Sequence, residues 1–180
     1  ASFFGRLDGV VVNLNLEGTV RGNVGATFAQ DGYGTIINCI SGSNIYADQT
    51  AAGIVNNWNG TLSNVVFQGM LDATSVFGIV ESGNGIAMQS YAKEYKVGNP
   101  ATIESSGTFD EQMSENVRSE LNVSAQQLFF SSDIGKWLNK WQAGANSKLE
   151  FSDEVAAFEG TGTENNPFVI DSADKLKVMV

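Results

Sequence analysis

The first hundred residues carry a pattern of apolar and polar positions that recurs about every 25 residues. Asparagines stand in Val12-Asn13-Leu14, Ile37-Asn38-Cys39 and Ser63-Asn64-Val65, and Gln89 stands in Met88-Gln89-Ser90; the spacings are 25, 26 and 25. Four places before each lies a glycine (Gly9, Gly34, Gly60, Gly85). Two places before each lies an apolar residue (Val11, Ile36, Leu62, Ala87), and ten before lies a bulky one (Phe3, Phe28, Ile54, Ile79). Within a unit the apolar positions alternate in short runs and show no 3.6-residue period, which predicts strands joined by turns. The pairs Asp8-Gly9, Asn59-Gly60 and Asn84-Gly85 are turn dipeptides, expected to supply positive φ.

A unit of two or three short strands cannot bury its own apolar face, but stacked units can, each strand pairing in parallel with the one above. The predicted fold is mainly β: a right-handed parallel β-helix, or β-solenoid, of about four coils of about 25 residues, with a smaller helical C-terminal part. The expected organisation is a solenoid over 1–98, a linker with capping helices over 99–150, and a strand–helix segment over 151–180. In such a stack Asn13, Asn38, Asn64 and Gln89 lie over one another. Inward-facing amides at a corner can satisfy each other in a ladder, and this structural role is preferred to a polar active site. Cys39 occupies the position of Leu14, Val65 and Ser90, as a small buried residue.

The second half is less periodic. Residues 98–108 read as a connecting loop. A helix is expected from Asp110 to Leu121, and a stronger one from Ser131 to Trp141, capped by Ser131 or Ser132, with Ile134, Trp137, Leu138 and Trp141 on one apolar face and Gly144 as its stop. That helix is expected to pack on the solenoid as a cap or side element, because open solenoid ends expose strand edges. Ser172 caps a further short helix near the end.

Composition changes the picture in three ways. Charged residues are 17% and glycines number 20 of 180, which suits a turn-rich β protein and excludes a coiled coil or a disordered chain. Ten basic against 20 acidic residues give a net charge of −10, with no basic patch for nucleic acid and no attraction to anionic membranes. Histidine is absent and cysteine occurs once, so no His-based triad, no disulfide framework and no Cys/His metal site is available. No apolar run is long enough for a membrane span. The chain starts inside the repeat and has no signal-peptide pattern, which predicts that it is cut from a longer protein.

Two stretches resemble one family. The segment GIVNNWNGTLSNVVFQG (53–69), the hexapeptide Gly-Thr-Ile-Ile-Asn-Cys (34–39) and VFGIVESGNG (76–85) are similar to the GLUG motif of bacterial surface proteins. FFGRLDGVVVNLNLEGTV (3–20) resembles the coil that opens such arrays. GTGTENNPFVIDSADKL (160–176) is similar to the motif that heads such modules, although here it comes last. The resemblance implies a secreted or surface-anchored, multi-module bacterial protein of the kind found in gut anaerobes, extracellular and assigned to adhesion.

The function expected is therefore non-catalytic: an adhesin-like or spacer module that binds a glycan or a host surface protein, with no cofactor, no metal and no catalytic residue. Tyr33 and Trp58 fall at nearly the same turn of neighbouring coils and are the expected contact site, stacked along one edge where exposed aromatics receive sugars or partner surfaces. The rival is a polysaccharide lyase or glycosidase, which needs two carboxyls on one face. The solenoid acids (Asp8, Glu17, Asp31, Asp48, Asp72, Glu81, Glu94) do not share a column by spacing, and the basic residues a lyase needs are few. Calcium is disfavoured because the equivalent turn positions Asp8, Tyr33, Asn59 and Asn84 hold one carboxylate among four.

Overall fold

A computed structural model describes residues 1–157, 163–165 and 167–169. The chain divides into two compact units, Ala1–Met113 and Ser114–Val180.

The first unit is a β-solenoid. Its first rung runs through β1 (Phe4–Leu7), β2 (Val10–Val12), β3 (Asn15–Leu16) and β4 (Thr19–Ala26). The second runs through β5 (Ala29–Gly32), β6 (Thr35–Ser41) and β7 (Asn44–Ala52), and the third through β8 (Val55–Trp58), β9 (Thr61–Phe67), β10 (Met70–Asp72) and β11 (Ser75–Phe77). β12 (Val80–Ser82), β13 (Ile86–Met88) and β14 (Tyr91–Lys93) form the fourth. All pairing between rungs is parallel, in three sheets: β1-β5-β8-β12, then β2/β3-β6-β9-β13/β14, then β4-β7-β10/β11.

The register follows the sequence spacing. Val11, Ile36, Leu62 and Ala87 are partners in one file, and Ile36, Leu62 and Ala87 are fully buried. Phe28, Ile54 and Ile79 fill a second file of the core; Phe3, their counterpart in the first rung, is 65% exposed. The glycine file has a different cause from the one its dipeptides indicate. Gly9, Gly34, Gly60 and Gly85 are not at positive φ. Gly34, Gly60 and Gly85 instead let the rungs close: a methyl group at Gly60 would fall on the Gly34 carbonyl oxygen, and one at Gly34 on that of Gly9. Positive φ occurs two places before Gly85, at Gly83 (φ 129°).

Residues 98–108 are not a loop. Thr102–Glu104 forms β15 and Gly107–Phe109 forms β16, which pair in parallel with β13 and β14, so the solenoid reaches Phe109 rather than ending at 98. The offset here is 16 residues: Ile86 pairs with Thr102 and Tyr91 with Gly107. The chain skips the third sheet, passing from β14 through Tyr95–Val97, which hydrogen-bonds under Gly78–Val80. Where a strand is missing beneath β10, the Tyr95 hydroxyl accepts the Leu71 N–H at 3.1 Å.

In the second unit the helix α1 spans Ser114–Ser131, longer and later than the expected Asp110–Leu121; Val117, Leu121, Ser124 and Ala125 are its buried side. The helix expected over Ser131–Trp141 does not form. Ser132 does receive a cap bond, from Gly135 N–H at 3.1 Å, but over a single 3₁₀ turn, Ile134–Trp137. Asn139–Ala143 is then β17, antiparallel to β18 (Leu149–Val155). Trp141 is buried in the hairpin, its ring 4.7 Å from that of Phe151, whereas Trp137 is 71% exposed. Asn122 of α1 holds both backbone groups of Trp141, donating from Nδ2 to its carbonyl and accepting its N–H. The reversal has a direct reason: pairing with β18 satisfies the backbone of 139–143 and buries Trp141 against Phe151. The segment expected to resemble a module header, with Ser172 as a cap, lies for the most part outside the described residues.

Gly60→Ala is expected to cost about 2 kcal/mol or more, because the clash is with backbone. Gly9→Ala, whose added methyl meets nothing within 4 Å, should stay within about 0.5 kcal/mol. Urea unfolding of the two variants checks the difference.

Candidate functional site

Outward positions on a stacked sheet fall into files as strictly as inward ones. In the third sheet Val20, Ile45 and Leu71 face the core, and their neighbours Arg21, Tyr46 and Asp72 form the register partners on the outer face. These three residues line a groove of about 350 Å³ together with Gly22, Ala47 and Asp48. The Arg21 guanidinium carbon lies 4.4 Å from the centroid of the Tyr46 ring, a cation–π contact.

Asp48, two places after Tyr46, shares its outer face by strand alternation, and an irregularity in the ladder falls beside it. Gly22 pairs with Ala47 but Val24 pairs with Thr50, so β7 contains one residue more than β4. On the other side Asp72 pairs with Tyr46 and Ser75 with Thr50, again one residue short. The extra residue in the 26-residue spacing is therefore a β-bulge at Asp48–Gln49. Thr74 pins it by donating from Oγ1 to the Asp48 carbonyl at 3.0 Å. Bulges re-aim side chains and are over-represented beside functional sites. The sequence carried the signal, a single 26 among 25s, but not its place in the rung.

A second Arg–Tyr pair differs in how its charges are spent. Arg6 lies 5.2 Å from the Tyr33 ring centroid. It also binds Asp8 at 2.7 Å and Asp31 at 3.7 Å, and Asp8 accepts the Tyr33 N–H. The Arg6 hydrogen bond holds the Asp8 carboxyl below the ordinary carboxylate range. Arg6 and Asp8 thus satisfy each other within the turn, while Asp31 Oδ1 is buried without a hydrogen-bond partner, 3.7 Å from the Arg6 guanidinium. Among the described residues, no hydrogen bond or ion pair engages the side chains of Arg21, Asp48 or Asp72. The groove thus sets a fork of N–H donors and two carboxylates around an aromatic ring, ready for a ligand that both donates and accepts.

The residues expected as a contact site separate. Tyr33 is exposed, but Trp58 is 1% exposed and belongs to the core, so the two do not form an aromatic edge. Trp58 is the register partner of Gly32, and a Cβ at Gly32 would come within 2.8 Å of the indole, so the glycine makes room for the ring. Asn13, Asn38, Asn64 and Gln89 lie at one corner, all with left-handed backbone (φ 54°, 53°, 54° and 41°). Asn38 donates from Nδ2 to Asn13 Oδ1 at 2.7 Å, and Asn38 and Asn64 are fully buried. Ser105 (φ 44°) is the fifth member of this corner, sixteen places after Gln89, missed because the last rung is short. Cys39 is buried, and loss of solvation pushes its thiol up to about 12.

A larger recess, about 420 Å³, runs between Ala1–Phe3 and Leu16–Arg21. Its buried hydroxyls are already used, Thr27 with Ser41 and Ser43 with the Leu16 carbonyl, so it leaves less for a ligand. Among the described residues no group of three or more His, Cys, Asp or Glu is arranged to hold a metal ion, and no helix is long and apolar enough to cross a membrane. No family model, curated protein or solved structure matches the chain.

Asn38→Ala removes a buried hydrogen bond and forces left-handed backbone on alanine, an expected loss of about 2–4 kcal/mol. Asn38→Gly should lose about 1 kcal/mol less, since glycine accepts that backbone; denaturant melts measure both. Cys39 has a second signature. Its thiol ionises near 9 when unfolded and at about 12 when folded, so the unfolded state holds fewer protons between those values. Stability should fall as pH rises through that window, by up to about 4 kcal/mol. Cys39→Val, which copies Val65 in the next rung, should remove that component from the alkaline melting profile.

Proposed function

We propose that this solenoid is a non-catalytic, extracellular module of a bacterial surface protein, adhesin-like, which binds a glycan or a host protein through a sheet face. The observation that carries the reading is the groove of Arg21, Tyr46, Asp48 and Asp72, with its polar groups unspent on a hydrogen-bonded parallel sheet. Sites built on regular elements hold side chains more tightly than sites on loops, and solenoids offer long flat faces to partners. The acidic, charge-poor composition and the resemblance of residues 34–39 and 53–69 to the GLUG motif support the same reading.

One observation favours a second reading, a polysaccharide-degrading enzyme. Asp48 and Asp72 line the same groove, although their spacing in the sequence gives no shared column. Paired carboxylates are what a glycosidase requires. Both are solvent-exposed on an open face, however, where nothing excludes bulk water from a reacting bond, and this favours binding over turnover.

The discriminating experiment incubates the protein with neutral and acidic polysaccharides while a parallel binding assay presents immobilised glycans and host extracellular proteins. Reversible binding with no new reducing ends or unsaturated products is expected. Product release would replace this reading with the enzyme, and absence of binding to both panels would remove the adhesive role.

A further inference from the structure

We propose that the ligand of the Arg21–Tyr46–Asp48–Asp72 groove is an uncharged pyranose oligosaccharide. The inference rests on the surface-binding reading above and names the class of partner.

Charge decides first. The two carboxylates, on a protein of net charge −10, repel uronic acids and sulfated sugars. Arg21, 4.4 Å from the Tyr46 ring centroid, offsets one of the two carboxylates, so the charges of the groove nearly balance and favour no strongly charged ligand of either sign. What remains is a ligand without net charge that can satisfy both kinds of group. Neighbouring sugar hydroxyls do so, because each donates to a carboxylate and accepts from a guanidinium fork. Charge-assisted bonds of this type are the stronger ones. The Tyr46 ring, one face of which Arg21 covers, offers its remaining apolar surface to the C–H groups of a pyranose.

Shape decides next. Rungs are about 4.8 Å apart, so Arg21 and Asp72, two rungs apart, are separated by about 10 Å along the stack. That span, on an open groove, suits a short oligosaccharide lying across the strands. The bulge beside Asp48 is fixed in the ladder, the Asp48 backbone carbonyl accepting from Thr74 Oγ1 at 3.0 Å. A divalent cation fits less well, because calcium takes six to eight oxygens and the groove offers two carboxylates.

The test is a glycan array carrying neutral hexose oligosaccharides, uronic and sulfated oligosaccharides and amino-sugar oligosaccharides, with calorimetry on the strongest neutral probe. The variants are Tyr46→Ala, Arg21→Gln, Asp72→Asn and Tyr33→Ala, each compared with wild type by melting temperature. Wild type is expected to bind the neutral probe, and Arg21→Gln and Asp72→Asn, which preserve side-chain shape, to weaken it about tenfold, the worth of one good ligand hydrogen bond. Tyr46→Ala should do the same, and Tyr33→Ala should bind as wild type. Neutral binding that survives all three groove variants overturns the site but leaves the surface-module reading intact. Binding confined to acidic or amino sugars overturns the ligand class, and binding to host protein alone overturns the inference while the adhesive role stands. Failure to bind any glycan or protein removes both.

Discussion

The structure depends on one constraint: the backbone of each rung hydrogen-bonds to the rung beside it, at a spacing of about 4.8 Å, over three parallel sheets. At that separation a residue's neighbours are the residues one period away, not those beside it in sequence. Each position must suit the one above and the one below. The glycine file answers this demand by bringing carbonyls closer than any Cβ permits. The asparagine corner answers it with left-handed backbone and an amide that bonds to the next amide. Trp58 answers it by lying against Gly32, so that one large side chain takes the volume two rungs would otherwise fill.

Departures from the period are informative because the constraint is strict. The last rung drops a whole side, and the hydrogen bond that the missing strand would have made is taken by the Tyr95 hydroxyl. The second rung gains a residue, and the ladder tolerates it only at the bulge of β7, where the third rung is itself interrupted between β10 and β11. A shortened rung ends a sheet; a lengthened one is absorbed as a bulge beside Asp48.

The contrast between the two Arg–Tyr pairs shows how the same residue types differ in consequence. Arg6 sits among Asp8 and Asp31, and its charge is consumed within the turn. Arg21 contacts a ring, and Asp48 and Asp72 line the groove with it without an ion pair. What differs is local: Arg6 has Asp8 two residues on in its own rung, and Arg21 has no such neighbour.

The sequence by itself determined the files: a repeated spacing of four kinds of residue identifies the stack, the apolar column Val11–Ile36–Leu62–Ala87 and the asparagine corner, because a solenoid writes its vertical contacts into its period. It could not tell which side of the sheet an aromatic takes. Trp58 and Tyr33 differ by one place in the rung, and strand alternation sends one to the core and leaves the other in solvent. Nor could it find a rung of sixteen residues with a ruler of twenty-five, so the strands over 102–109 read as a loop. Beyond Met113 no second copy exists for comparison, and the spacing of Trp137, Leu138 and Trp141 fits a helix on local grounds. Only the tertiary structure decided that case, by pairing 139–143 with 149–155 and clamping Trp141 with Asn122: local periodicity reports which residues are apolar, while the choice of backbone rests on partners distant in the chain.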